Sequence, residues 1–380
     1  MHRYRLCEKW GGAPPLRVAS HVDRLQSLYH DVVVAASVTT AATDTEAAAT
    51  KVAVEVEVQR ALASIPSPLR AEAESLPRKP VVQWTLPSGK HVRVMLAHPS
   101  TTDVSDVIPK TKAWFHLLDA HMARLPRNYH QRRCSGDLSL YLFLTDAVKK
   151  GDSSSFSAVN VNSGFTYACA PTNQICIFRY EEWWKVLMHE SIHAYGLDFA
   201  WYENASMARP LQRVFPGVHC ENWRICESWT ECWAEILVLL HHIHWTTKKR
   251  AWKDVRFLVH CGLYYESIWS RIQCTKVLEH YGLSYTELLK GGMYQEAQDA
   301  PAVFSYYVLK CIAMNHLDDF LVLGGDSENL PWERNSGRAT VGDAARDYVA
   351  FLVQHAPDPG PILSLGETDA SLRMSLWGGV

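Results

Sequence analysis

The chain has 380 residues, of which 47% are hydrophobic and 21% are charged. This length and composition predict a folded protein with a large core and exclude a fibrous or fully disordered chain. The 38 basic and 40 acidic residues nearly cancel, so no electrostatic argument favours nucleic acid as a partner.

The hydropathy of the chain and its cysteine content indicate the cellular compartment of the protein. The N-terminal segment lacks the apolar stretch of a secretory signal, and no run reaches the roughly 18 apolar residues of a membrane span. The ten cysteines are scattered without a CxxC pair, which favours reduced and mostly buried thiols. We therefore expect a soluble, intracellular and cytoplasmic protein without a membrane partner.

Three parts are predicted along the chain, and together they indicate an α+β fold. Residues 1–77 form an N-terminal extension that is helical or partly disordered. Residues 78–330 form one domain, in which a small mixed sheet with a histidine-bearing helix (78–199) precedes a mainly helical half (200–330). Residues 331–380 form a C-terminal tail with one helix.

The periodicity of the sequence predicts the order of elements before residue 199. Residues 81–98 alternate about a Pro-Ser-Gly turn and predict a hairpin. Residues 107–125 show helical spacing, and residues 138–144 form a compact apolar strand. Residues 157–180 contain two β-type runs joined by a Pro/Asn turn, and a helix follows over residues 181–196.

The last of these helices contains the string HESIH. His189 and His193 lie four residues apart, so their imidazoles share one helix face and can bind one ion. Glu190 is rotated by about 100° from His189, which places its carboxylate beside the ion as a general base. Gly196 suits the left-handed cap that ends such a helix. These residues form the HExxH pattern of zinc enzymes.

A catalytic zinc ion usually has three protein ligands. In the metzincin register the third ligand would fall on Phe199, which cannot bind zinc, and Asp198 is one residue out of register. The later segment ESWTECWAEIL instead offers Glu227, Glu231 and Glu235 at successive i+4 positions along one helical stripe.

An HExxH helix followed some tens of residues later by a helix that reads ExxxE resembles the gluzincin metallopeptidases. The segments around both helices, over about residues 160–320, are also similar to metallopeptidases inferred from sequence in large DNA viruses and protists. The resemblance implies a zincin-like fold and peptide-bond hydrolysis by a zinc-bound water that Glu190 activates. It implies Glu231 as the third zinc ligand, with Glu227 as the alternate, and Glu235 as the acidic residue that braces a histidine ligand.

The resemblance also implies a peptide or protein substrate that lies extended along a strand, for which residues 161–168 and 175–179 are candidates. Tyr195, His219 and Tyr306 are chemically able to stabilise the transition state, but spacing selects none of them. The alternative function is a catalytically inactive zincin-fold protein with a binding or structural role. The sequence predicts neither the substrate specificity nor the oligomeric state.

Overall fold

The computed structural model describes residues 14–15, 19–38, 45–46, 51–125, 129–151, 156–200, 206–219, 223–247, 249–296, 302–323, 341–358, 360 and 371–377. Over these residues the protein is mixed α+β, as predicted. The α-helices are α1 (Gln26–Val38), α2 (Lys51–Ala63), α3 (Ser67–Ser75), α4 (Val107–Arg124), α5 (Ala158–Val161), α6 (Trp183–Ala194), α7 (Arg209–Val214), α8 (Ile225–Thr246), α9 (Trp252–His280), α10 (Tyr285–Leu289), α11 (Lys310–Asn315), α12 (Leu317–Phe320) and α13 (Val341–His355). The strands are β1 (Thr45–Glu46), β2 (Val82–Thr85), β3 (His91–Ala97), β4 (Asp137–Phe143), β5 (Gly164–Thr166), β6 (Thr172–Ile177), β7 (Val218–His219) and β8 (Tyr294–Gln295). Two 3₁₀ segments, Ser20–Leu25 and His130–Arg133, and the π-helix Phe304–Leu309 complete the elements.

The described residues divide into two compact units. The sheet unit comprises those within His30–Lys149 and Asn162–Leu197. The helical unit comprises those within Met1–Tyr29, Lys150–Val161 and Asp198–Trp377. Helices α2 and α3, which were predicted as part of a separate N-terminal extension, therefore belong to the sheet unit.

The sheet unit is built on a mixed sheet with the strand order β1-β2-β3-β4-β6-β5. The predicted hairpin is confirmed, because β2 pairs with β3 in antiparallel register. Strands β3, β4 and β6 are parallel neighbours, and parallel strands need a crossover connection, which α4 provides between β3 and β4. Strand β5 pairs with β6 in antiparallel register at the outer position.

One local prediction in this part of the chain was wrong. Residues Ala158–Val161 form the short helix α5 instead of the start of a β-type run. The side-chain oxygen of Asn160 accepts two hydrogen bonds from Ser157, one from its backbone N–H at 2.8 Å and one from its side-chain hydroxyl at 2.7 Å. Such local side-chain bonds compete with strand pairing.

The core of the helical unit contains packed aromatic side chains. Trp229 of α8 packs against Phe320 and Tyr348 at ring-centroid distances of 5.4 and 5.2 Å. The hydroxyl groups of Tyr348 and Ser228 lie 3.0 Å apart. Tyr348 belongs to α13, so this part of the predicted tail is packed into the core. In the described residues, no helix combines the length and apolar character that crossing a membrane requires.

The prediction of reduced thiols was wrong for one cysteine pair. Cys134 and Cys169 form a disulfide, and they meet because Cys134 precedes β4 and Cys169 precedes β6, the neighbouring parallel strand. Among the described residues, six further cysteines take no part in a disulfide, and all but Cys261 are buried: Cys176, Cys226, Cys232, Cys261, Cys274 and Cys311.

Candidate metal centre

Helix α6, which carries the HExxH string, begins at a buried ion pair. Glu182 precedes the helix with a φ of 60° and is fully buried. Its carboxylate lies 3.1 Å from the ammonium group of Lys149, which is also buried. The backbone carbonyl of Glu182 accepts a hydrogen bond from Val186 N–H at 2.9 Å. The N-terminal end of a helix dipole is positive, so the Glu182 carboxylate is electrostatically favourable at the start of α6.

The two histidines of α6 face each other as the i, i+4 spacing predicts. The Nε2 atoms of His189 and His193 lie 3.2 Å apart, and both residues are buried. Two ligand atoms about 2.05 Å from a tetrahedral zinc ion are about 3.3 Å apart. The separation of the two ring nitrogens therefore fits a shared metal ion.

Glu190 lies beside a close approach of β5 to α6 at Gly164. A Cβ atom at Gly164 would lie 3.1 Å from Cγ of Glu190, 2.8 Å from Cγ1 of Val186 and 3.0 Å from the carbonyl oxygen of Cys176. Burial raises the pKa of the Cys176 thiol, and the nearby Glu190 carboxylate raises it further. Glu190 is thus packed between its own helix and the strands β5 and β6.

Three buried residues of the described chain could together hold a metal ion. His189, His193 and Glu227 each offer one ligand atom, and these atoms all lie within 4.8 Å of one another. The third member is Glu227, the alternate ligand, while the preferred Glu231 is not part of this group. The three glutamates of α8 lie one turn apart on one stripe, about 5.4 Å per turn, so Glu227 lies one turn before the preferred Glu231.

Glu235 has a different partner from the predicted histidine. Lys310 donates hydrogen bonds to Glu235 Oε1 at 2.7 Å and to the carbonyl oxygen of Met374 at 2.9 Å. Both side chains of this ion pair are fully buried. Burial lowers the pKa of Lys310, but the carboxylates of Glu235 and Glu231 raise it more, so the ammonium form is retained. Glu235 therefore neutralises a buried cation inside the helical unit.

The predicted transition-state stabilisers lie in three different surroundings. Tyr195 ends α6 and is fully buried, with its ring 6.2 Å from Phe115 and 4.7 Å from the Lys90 ammonium group. Burial raises the pKa of Tyr195, as expected of a core residue. His219 is exposed in β7, and Tyr306 is half-buried in the π-helix. The catalytic role of all three stays a prediction.

The two candidate substrate strands differ in their place in the sheet. Residues 175–177 belong to β6, which already pairs with β4 on one side and with β5 on the other. Within the described part of the sheet, β5 is one of the two outer strands. Its side chains are half-buried and the following Tyr167 is exposed. Of the two candidates, only β5 has an edge for a further strand.

Three supporting features of α6 escaped the sequence analysis: the Glu182–Lys149 ion pair, the Cys134–Cys169 disulfide and the close approach of Gly164. The cap at Gly196 was predicted, and its φ of 63° confirms the left-handed conformation. The chain matches no protein-family model, no curated protein and no solved structure. The chemistry of the site itself is therefore the basis for inferring a function.

Proposed function

We propose that this protein is a zinc-dependent metallopeptidase of the gluzincin type with a zincin-like fold. The observation that carries the proposal is the buried group of two imidazoles and one carboxylate, whose ligand atoms lie within 4.8 Å of one another. In the catalytic helix the general-base candidate directly follows the first of these imidazoles.

The donor set fits zinc in number and kind. His189, His193 and Glu227 would hold the ion, and catalytic zinc sites commonly use two histidines and one glutamate while leaving a position open for water or substrate. When bound, zinc would lower the pKa of a water molecule and polarise the carbonyl group of the substrate. All three side chains are buried.

Glu190 would accept a proton from the attacking water and later donate it to the leaving amine. Its packing against Gly164 and its proximity to the buried Cys176 thiol hold the carboxylate in a restricted position. The pKa of that thiol is raised by burial and by the charge of Glu190, so Cys176 stays protonated and does not compete as a base.

The substrate would be an extended peptide that adds to the outer edge of β5. Backbone groups of Gly164–Thr166 would pair with the peptide, in the manner of strand addition. The exposed Tyr167 would contact a side chain of the peptide beyond the last paired residue.

The zinc ligand on α8 is then Glu227, one helical turn before Glu231, which was the preferred prediction. With Glu227 as the zinc ligand, Glu231 takes the position four residues later, where the gluzincin resemblance implies the acidic residue that braces a histidine. Glu231 is fully buried, as that role requires. This is the alternate register that the sequence analysis left open.

Metal content and peptide cleavage test the proposal on the full-length chain. We expect about one zinc per chain, cleavage of a peptide library, and loss of cleavage in Glu190→Gln with zinc retained. Glu227→Gln is expected to lose at least about tenfold in zinc affinity. A chain that binds no stoichiometric metal would refute the metal site.

Two further outcomes separate the remaining alternatives. Glu231→Gln is the matched variant one turn along α8, and it should weaken zinc binding less than Glu227→Gln does. The reverse order would restore Glu231 as the ligand. A protein that binds zinc but cleaves nothing, with or without Glu190, would favour the inactive zincin-fold binding protein.

A further inference from the structure

The C-terminal end of α6 is held by the segment around the disulfide. The backbone N–H of Cys169 donates to the carbonyl oxygen of His193 at 3.1 Å. The hydroxyl of Ser135, next to Cys134, donates to the carbonyl oxygen of Ala194 at 2.8 Å. The final carbonyls of a helix have no partner inside it, so these bonds supply partners for two of them, one at a proposed metal ligand.

Close packing accompanies these hydrogen bonds. A Cβ atom at Gly196, in the left-handed cap of α6, would lie 3.1 Å from Cβ and 3.2 Å from Sγ of Cys169, and 3.4 Å from Sγ of Cys134. The cap itself is closed by hydrogen bonds from Gly196 N–H to His193 O and from Leu197 N–H to Ile192 O, at 3.0 and 2.9 Å. The disulfide therefore lies directly against the turn that ends the metal-binding helix.

The backbone on both sides of the contact is held in an unfavourable conformation. Ser135 and Cys169 have φ values of 51° and 50°, a left-handed region that residues other than glycine seldom adopt and that persists only where the surroundings impose it. The buried Asn173 reinforces the contact, because its amide donates to Tyr167 O at 2.8 Å and lies 3.3 Å from Ser135 Oγ. With the covalent link removed, both residues gain freedom to leave this conformation.

We propose that the Cys134–Cys169 disulfide is a redox-sensitive brace that positions His193, so that reduction by a dithiol weakens metal binding at the HExxH helix. This inference rests on the proposed metal site and adds its regulation. The brace acts through the backbone of α6, which makes Cys134 and Cys169 positioning residues that do not contact the substrate.

The redox step balances as an ordinary thiol–disulfide exchange. A thiolate of the dithiol attacks one sulfur of the pair, and a mixed disulfide forms as the Cys134–Cys169 bond breaks. The second thiol of the reductant then releases the protein thiol. The products are two cysteine thiols and the oxidised, cyclic reductant, with two electrons and two protons transferred to the protein. Cys169 is half-exposed beside the exposed Tyr167, whereas Cys134 is buried, so we expect attack at Cys169.

Amide hydrogen exchange tests the brace without any metal. The full chain is treated with a dithiol, desalted under argon and compared with the oxidised protein. We expect exchange at the amides of Cys169, Gly196 and Leu197 to quicken by at least about tenfold on reduction. The amide of Val186, at the other end of α6, is the internal control and should not change. If each of the four amides exchanges at the same rate in the reduced and the oxidised protein, the proposal is overturned.

Zinc competition with a chelator tests the consequence for the site. Reduction is expected to weaken zinc affinity by about 10- to 100-fold, the range typical of groups that orient metal ligands. The double variant Cys134→Ser/Cys169→Ser should match the reduced protein and no longer respond to dithiol. Cys261→Ser, at a half-exposed free cysteine, is the matched control and should respond as the unmodified chain does.

The outcomes separate this inference from the proposed function. If neither redox form binds zinc, the proposed function fails, while the exchange experiment still decides whether the brace exists. If zinc binds with the same affinity in both forms, the proposed function stands and the redox inference is refuted. Should the double variant fail to fold, the reduced unmodified chain supplies the same comparison.

Discussion

Replacing Gly164 by alanine tests the contact between β5 and helix α6. The added Cβ would lie 2.8 Å from Cγ1 of Val186, 3.0 Å from the carbonyl oxygen of Cys176 and 3.1 Å from Cγ of Glu190. Val186 is β-branched and stiff in a helix, and the Cys176 carbonyl belongs to the backbone of β6. The strand must therefore move away from α6.

The expected cost follows from two opposing effects. Overpacking of a close contact costs about 1–3 kcal/mol, whereas replacing glycine stiffens the unfolded chain and returns about 0.4–1 kcal/mol. We expect a net loss of about 1–2 kcal/mol in the free energy of unfolding. Because Glu190 borders the same space, peptide cleavage should also fall, by about 10- to 100-fold for a displacement near 1 Å.

Urea denaturation and cleavage rates of the folded variant measure the two effects. Gly136→Ala is the matched control, because a Cβ there meets only Pro171 O, at an ordinary 3.4 Å, and it should change stability by less than about 0.5 kcal/mol. A Gly164→Ala protein as stable and active as the unmodified chain would show that β5 does not approach Glu190 as described.

Three further predictions concern charge and metal. Lys149→Met leaves the buried carboxylate of Glu182 without its cation, and urea denaturation should show that the free energy of unfolding falls by about 3–5 kcal/mol. The double variant Lys149→Met/Glu182→Gln should recover most of this loss. A single variant as stable as the unmodified chain would contradict the ion pair. Burial raises the pKa of Glu296 to about 7, above its ordinary 4.5, so the folded protein retains a proton that the unfolded chain has lost. The free energy of unfolding should therefore fall by about 3 kcal/mol as the pH rises from 4.5 to 7. Glu296→Gln should lack this fall. If this variant and the unmodified chain have the same pH profile, Glu296 is not the group responsible. Removing zinc with a chelator should lower the free energy of unfolding by about 2.7 kcal/mol relative to protein with zinc at 100 times its Kd, measured by thermal or urea denaturation; no change would indicate that zinc does not bind the folded chain.

Local sequence patterns determined the elements of the sheet unit. The hairpin of β2 and β3, the helix α4, the strand β4 and the helix α6 all lie where periodicity predicts them. The i, i+4 spacing also determined that the two imidazoles of α6 face each other, since that distance depends only on the geometry of one helix. Gly196 predicted the cap, because the residue that ends a helix in this way needs a left-handed φ, which glycine adopts readily.

Long-range contacts were decided only by the tertiary structure. Glu227, Glu231 and Glu235 repeat every four residues, so their pattern is the same in each register. The structure groups Glu227 with the two histidines and pairs Glu235 with Lys310. The segment predicted as a tail contains Tyr348, a core residue, because the helix that carries it finds its apolar partners on α8. The pairing of Cys134 with Cys169 arises from the adjacency of β4 and β6. Spacing along a chain fixes what one helix or strand presents, but the partner of each side chain depends on how separate elements pack.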